Sequence, residues 1–212
     1  QPFQANRSYL QSRVSETLGL LYADHFPHRQ FASARGVRRS PIHSQLEAEG
    51  ACFGEASGWE RANWFLPKAA KNAGKKAEYD YSWRRQNWFE YSAAEHMAVR
   101  QKVGMFDMSS FGKIKLIGRD AEAVLQRIAA NDVAVPVGKI VYTQFLNSEG
   151  HIEADVTITR LGADEFLIVT PAATIRRDLH WINGHIPDSS HAIAVDISVS
   201  ESVFVVMGPD AR

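Results

Sequence analysis

The stretch "KIVYTQFLNSEGHIEADVTITRLGADEFLIVT", Lys139 to Thr170, decides the fold. Its middle holds a turn signal (Asn147, Ser148, Gly150) followed by strict alternation. Ile152, Ala154, Val156 and Ile158 fall on one face of a strand, and Glu153, Asp155, Thr157 and Thr159 on the other. "KIVYTQFLN" reads as a strand before the turn, so the pattern predicts a hairpin, and "EFLIVT" predicts a further strand. The polar face carries Tyr142 and Asp155, both near enough to the turn to be cross-strand neighbours. Asp is disfavoured inside strands. On residue chemistry alone Asp155 is either a solvated carboxylate or part of a site, where a neighbouring Tyr would help it hold an amine ligand.

Helices flank these strands. "GKIKLIG" predicts a strand before the hairpin, and "RDAEAVLQRIAA" a helix burying Val124, Leu125 and Ile128. Thr170-Pro171 reads as a helix start, Thr at the N-cap and Pro in the first turn. That helix buries Ile175, Leu179 and Ile182 and stops at Asn183-Gly184. "AIAVDISVSESVFVVMG" supplies one or two more strands. Hairpins mixed with helices predict an α+β fold with a largely antiparallel sheet.

Upstream, Leu10, Val14, Leu18 and Leu21 stand at helical spacing and predict an amphipathic helix over 8–23. Residues 27–41 are polar and basic, with Arg29, Arg35, Arg38 and Arg39 close together. This is either a solvated loop or an anion or interdomain contact. A short helix is expected around Ile42–Glu49. Trp59, Trp64 and Phe65 should pack against something, since aromatics are costly to leave in water. "KAAKNAGKKAEYDYS" reads as a linker, which gives a division into residues 1–67, a loop over 68–85, and residues 86–212. Ser92-x-x-Glu95 is a capping-box pattern opening a helix that runs to about Val103, with Gly104 ending it.

The 212 residues fit one large or two small domains. Net charge is zero, split as 13 Lys/Arg against 9 Asp/Glu in residues 1–91 and 11 against 15 in 92–212. An asymmetry of +4 and −4 is too weak to indicate nucleic acid. The single Cys52 excludes an intrachain disulfide and suits a reducing compartment; its small apolar neighbours predict a buried, inert thiol. No run is apolar enough for a membrane span or a secretory leader. No G-x-G-x-x-G follows a strand, no P-loop or G-x-S-x-G occurs, and the eight His lack ligand spacing, so no metal site is expected.

Taken together, "VGMFDMSSFGKIKLIGRDAEAVLQRIAANDV", the hairpin stretch and "VFVVMGPDAR" resemble the first half of the folate-binding, aminomethyltransferase-type domain of the glycine-cleavage T-protein. The carrying order is G-x-F-D-x-S, G-x-D-A, N-D-V, Y-x-x-x-L-N-x-x-G and a strand bearing Asp. From about Tyr9 onward, the segment through "GWERANWF" resembles the region preceding this domain in sarcosine and dimethylglycine dehydrogenases, which are long FAD-dependent enzymes. Ser109-Ser110-Phe111, where T-proteins tend to have Ser-His-Met, favours that flavoprotein branch. The resemblance implies the end of a central connecting domain followed by half of a folate domain. It also implies that tetrahydrofolate is bound here and FAD elsewhere in the parent. Asp155 matches the family's folate-facing carboxylate and is the catalytic candidate; Tyr142 matches a folate-contacting tyrosine, Met108 offers an apolar wall, and Thr170 stands at a polar contact position. Where T-proteins often have a second Asp, this chain has Ala154. The expected partners are tetrahydrofolate, the flavin domain and the second half of the folate domain, with no nucleic acid and no membrane. The expected compartment is a bacterial cytoplasm or the mitochondrial matrix. The piece alone should not dehydrogenate a substrate. A free-standing aminomethyltransferase and a non-catalytic assembly module are the alternatives.

Overall fold

A computed structural model describes residues 2–212. Two units separate in it, one built from residues up to Met108 with Phe204–Arg212, the other from Ser109–Val203.

The first unit opens with a 3-10 turn, Pro2–Ala5, and helix α1, Arg7–Leu21, whose N-cap Asn6 accepts from the Tyr9 N–H. The periodicity correctly places a helix here, but its apolar stripe does not face inward. Leu10, Val14, Leu18 and Leu21 are 43–70% exposed, whereas Arg13 is buried. Arg13 reaches Glu55 at 2.7 Å and the Ser33 carbonyl at 2.8 Å, with its guanidinium 4.0 Å from the centre of the Phe31 ring. Glu16 accepts from the Ala32 and Ser33 N–H groups, each at 2.8 Å. Charge-assisted hydrogen bonds to otherwise unpaired loop backbone fix the helix's rotation. The basic loop is likewise tied down within the unit: Arg35 pairs with Glu60, Arg29 with Glu16, and Arg38 stacks 4.1 Å over Trp59.

Helix α2, His43–Ala48, leads into strands β1, Ala51–Ala56, and β2, Trp59–Phe65. These pair antiparallel across Ser57-Gly58, both at positive φ, the geometry of a tight hairpin turn. Trp64, Cys52 and Leu66 form a small core against which Tyr79, Trp88 and Tyr91 pack. Residues 68–85 are therefore not a free linker: α3, Lys68–Asn72, lies there, and Tyr79 stacks on Tyr81. Neither compact unit begins or ends within 68–85, so the expected division at that loop is not the one seen. Helix α4 runs Phe89–Gln101, starting four residues earlier than the capping box predicts. Glu95 does not close that box; its carboxylate takes the Phe65 N–H at 2.7 Å. Strand β3, Gly104–Asp107, follows.

The second unit contains β4, Gly112–Ile117; α5, Ala121–Ile128; β5, Ile140–Leu146; β6, Ile152–Arg160; β7, Glu165–Thr170; α6, Ile175–Gly184; and β8, Ile193–Asp196. The strands form one antiparallel sheet in the order β5-β6-β7-β4-β8. One face carries Phe145, Ala154, Val156, Ile158, Phe166, Ile168, Ile114 and Leu116, packed with Val124, Leu125 and Ile128 of α5 and with Ile175 and Ile182 of α6. Full burial of each large side chain here contributes roughly 1.5–3 kcal/mol. Helix α6 starts after Thr174, not after Thr170, because Pro171 to Thr174 form a turn first. The chain then returns to the first unit as β9, Phe204–Met207, which pairs antiparallel with β3. The α+β class with antiparallel sheets and flanking helices is the one the sequence predicts.

Candidate functional site

Because the helices cover one face of the five-stranded sheet, the other face is where a polar strand residue can meet a ligand. Register places its side chains in rows. Tyr142, Thr157, Val169 and Lys113 form one row, and Ile140, Thr159, Leu167, Lys115 and Val195 the next. Gln144 and Asp155 are directly opposed at the β5–β6 end. The face is closed at β4, where Lys113 is buried and donates to the Ser109 carbonyl at 2.9 Å. It is open at β5, where Tyr142 is 61% exposed.

The β5–β6 pairing is set by its loop. Asn147 Oδ1 accepts from the Glu149 and His151 N–H groups, both at 3.0 Å, and Gly150 adopts φ +81. These contacts fix the register that sends Ala154 inward and Asp155 outward; a slip by one residue would exchange them. On the opposite edge, β5 is pinned to the segment after α5. The Ala130 N–H donates to the Gln144 carbonyl at 2.8 Å and the Asn131 N–H to Thr143 Oγ1 at 3.0 Å.

Asp155 is an exposed carboxylate with one recorded side-chain hydrogen bond and a tyrosine beside it. Gln144 Nε2 donates to its Oδ1 at 3.0 Å. The pKa of the Tyr142 phenol is raised, chiefly through hydrogen bonding with the Asp155 carboxylate, then through desolvation and the carboxylate's charge. Tyr142 lies opposite Thr157, so it meets Asp155 diagonally and not as a direct partner. The sequence reading did not include Gln144. Counting residues back from the turn was the signal that could have found it.

The other two predicted folate contacts are not brought to this face. Thr170 belongs to the covered face, almost wholly buried, with its hydroxyl donated to the buried Asp178 carboxylate, which also takes Thr174 Oγ1 at 2.6 Å. Alternation along β7 puts Thr170 in the same set as Phe166 and Ile168, so it is a core residue and its expected ligand contact is withdrawn. Met108 ends the first unit, half-buried, lining a cleft of about 110 Å³ with Leu46, Arg61, Phe65 and Met105. Among the described residues no cluster of three or more His, Cys, Asp or Glu could hold a metal ion, and no helix is long and apolar enough to cross a membrane.

The antiparallel sheet with helices on one face belongs to a class, the aminomethyltransferase-like α+β fold. The glycine-cleavage aminomethyltransferase T of Bartonella henselae has this fold, with a TM-score of 0.65, 20% identity, and coverage of 83% of this chain and 42% of that one. Residues 42–212 match the GCVT N-terminal domain, and the chain belongs to that family. Residues 1–40 match the FAD dependent oxidoreductase central domain. Among curated relatives, the 4-methylaminobutanoate oxidase (formaldehyde-forming) of Paenarthrobacter nicotinovorans is 44% identical, covering 99% of this chain and 25% of its own length. Human mitochondrial sarcosine dehydrogenase is 35% identical, covering 96% of this chain and 26% of its own. The chain thus spans about a quarter of the length of these relatives.

Proposed function

We propose that this chain is the folate-facing part of an FAD-dependent oxidoreductase acting on an N-methyl amine, and that Asp155 receives tetrahydrofolate as the one-carbon acceptor. The observation that carries this reading is the exposed Asp155 carboxylate, hydrogen-bonded by Gln144 and beside Tyr142 on the helix-free face of the sheet. Support also comes from the match of residues 1–40 to a flavin oxidoreductase domain and from the relatives named as an N-methyl amine oxidase and a sarcosine dehydrogenase.

Two-electron oxidation of an N-methyl amine at flavin gives an iminium, which carries its carbon at the formaldehyde level. Addition of water to it yields the demethylated amine and formaldehyde. When bound, tetrahydrofolate supplies two amine nitrogens that take up such a carbon in place of water. The residues present suit that group. Asp155 is a pure acceptor for amine N–H donors, Tyr142 adds a phenol, and Thr157, Val169 and Ile140 offer a flat, mostly apolar floor beside them. An ionised Asp155 orients a ligand amine, takes the proton it sheds and stabilises adjacent positive charge.

In open water a carboxylate–amine contact contributes only about 0.2–1 kcal/mol. Strong discrimination at Asp155 therefore requires water to be excluded around it, a task for the remainder of the parent. Asp155→Asn in the full-length polypeptide should leave flavin reduction by substrate at its normal rate. Folate-trapped one-carbon product should fall by about 100-fold, while free formaldehyde rises. Equal loss of both half-reactions, or loss of neither, would overturn the assignment and favour a non-catalytic module.

A further inference from the structure

We infer that Gln144 is the positioning residue for Asp155, a donor whose function is to hold that carboxylate in one orientation. The inference rests on the reading of Asp155 given above and adds a residue to it. A carboxylate only accepts hydrogen bonds, so the amide nitrogen of Gln144 must be the end that faces it, as the 3.0 Å Nε2–Oδ1 contact has it. Asp155 stands in direct register with Gln144 on the exposed face, where an unheld Asp side chain would sample several rotamers.

The backbone delivering this amide is unusually well fixed for an edge strand. On either side of Gln144, Thr143 and Phe145 are buried in the unit. Its own carbonyl takes the Ala130 N–H, and Asn131 reaches back to the Tyr142 carbonyl at 3.3 Å. The pairing shifts register immediately afterwards, between Phe145 and Leu146. Such irregularities increase local twist and re-aim the side chains beside them. Gln144 is thus a partly buried polar side chain on a strand anchored at both edges, presenting a donor to one oxygen of the candidate catalytic group. Tyr142, two residues away on the same face, has its phenol pKa raised chiefly by that carboxylate. Preorganisation of this kind matters because misplacing a reacting contact by about 1 Å can cost on the order of 100-fold in rate.

The competing account is a cross-strand polar pair that merely helps hold the sheet. Two variants separate the accounts. Gln144→Ala removes the donor and the bulk. Gln144→Glu keeps length and shape, removes the donor and sets a second negative charge against Asp155. In the 212-residue chain, the Hα–Hβ scalar couplings of Asp155 should report one dominant χ1 rotamer in the wild type and averaged values in Gln144→Ala, at unchanged melting temperature. In the full-length polypeptide, Gln144→Ala should lower kcat/KM for tetrahydrofolate by about 10-fold, mostly in kcat. Gln144→Glu should be worse than Gln144→Ala, an ordering that a packing role would reverse. Unchanged couplings and folate kinetics in both variants, alongside a damaging Asp155→Asn, would overturn the positioning role and leave the functional reading standing. A harmless Asp155→Asn would sink the functional reading itself, while the couplings would still decide whether Gln144 orders the carboxylate.

Discussion

Replacing Arg13 by Ala should damage the first unit far more than replacing Leu18 by Gln, although an amphipathic reading of α1 predicts the reverse. The guanidinium of Arg13 meets Glu55 at 2.7 Å and the carbonyls of Ser33 and Ala34 at 2.8 and 3.3 Å. Its side chain is 10% exposed and that of Glu55 is 6% exposed, so truncation leaves a carboxylate without its charge partner in a nearly dry setting. Removing one partner of a buried pair costs about 3–5 kcal/mol. The residual exposure, and the Gly58 N–H that still reaches Glu55, put the expectation near the lower end of that range. For a unit of this size, about 3 kcal/mol lowers Tm by roughly 10 °C. Leu18 is half-exposed, and Gln preserves helix propensity, so its replacement should cost less than about 1 kcal/mol. Urea unfolding followed by tryptophan fluorescence is the assay, since Trp59 and Trp64 lie buried in this unit. Adding Glu55→Gln to Arg13→Met should recover part of the loss by removing the orphaned charge. A Leu18→Gln penalty equal to that of Arg13→Ala would refute the polar seating of α1.

The Tyr142 phenol should titrate above a free tyrosine in an ultraviolet difference titration, and Asp155→Asn should bring it back down, because hydrogen bonding to the carboxylate is the leading cause of the rise. Burial pushes the Cys52 thiol up to about 11, so at pH 8 only about one molecule in a thousand carries the reactive thiolate; alkylation should be slow in native protein and fast in urea. Burial also raises the Glu95 carboxyl, against the opposing Phe65 N–H, so ionising it destabilises the folded unit as pH climbs through the raised value. Glu95→Gln, whose amide oxygen can still accept from Phe65, should therefore melt higher than wild type at pH 7 and no higher below the ordinary carboxylate range. Thr170→Val should lower stability by about 1–2 kcal/mol through the orphaned Asp178 bond while leaving the Tyr142 titration unchanged, as expected for opposite faces of the sheet.

What was legible in the sequence follows from which physical signals are local. The hairpin and the outward direction of Asp155 were readable because a strand's period of two needs only the strand itself, and α5 was readable because its apolar residues fall on one face of two turns. Direction was not readable for α1. Spacing shows that Leu10, Val14, Leu18 and Leu21 share a face, but which face meets the unit depends on Glu55, Ala32 and Ser33, up to 42 residues away. The two misplaced helix starts share a cause. Thr170 and Glu95 look like capping residues locally, yet tertiary partners, Asp178 and the Phe65 N–H, take their side chains. Residues 68–85 read as a linker by composition because Lys, Ala and Gly dominate it, while Tyr79 and Tyr81 do the packing. The β1–β2 hairpin is not legible locally although Ser57-Gly58 is a turn dipeptide, because its strands mix Gly and Glu with aromatics and show no clean alternation.

Position 154 bears directly on how many carboxylates the site can have. The resemblance to T-proteins brings with it an Asp that often stands just before the folate-facing one, and here that position is Ala. In this sheet Ala154 is 3% exposed and packs in the cluster that contains Phe145, Val156 and Ile168. An ionised carboxylate there would face an apolar cluster, and unless it is paired such a burial costs several kcal/mol or forces protonation. Adjacent residues on a regular strand point to opposite faces, so a second Asp at 154 could not join Asp155 without breaking the local pleat. Ala154 therefore keeps the core intact, and in the proposed function the acceptor role falls to Asp155 alone. Of the carboxylates on that face, Glu153 is engaged by Asn147 Nδ2 at 3.0 Å, which leaves Asp155 without a carboxylate in direct register. The side chain that orients it is then the one across the strand, which makes Gln144 more consequential here than it would be beside a paired acid.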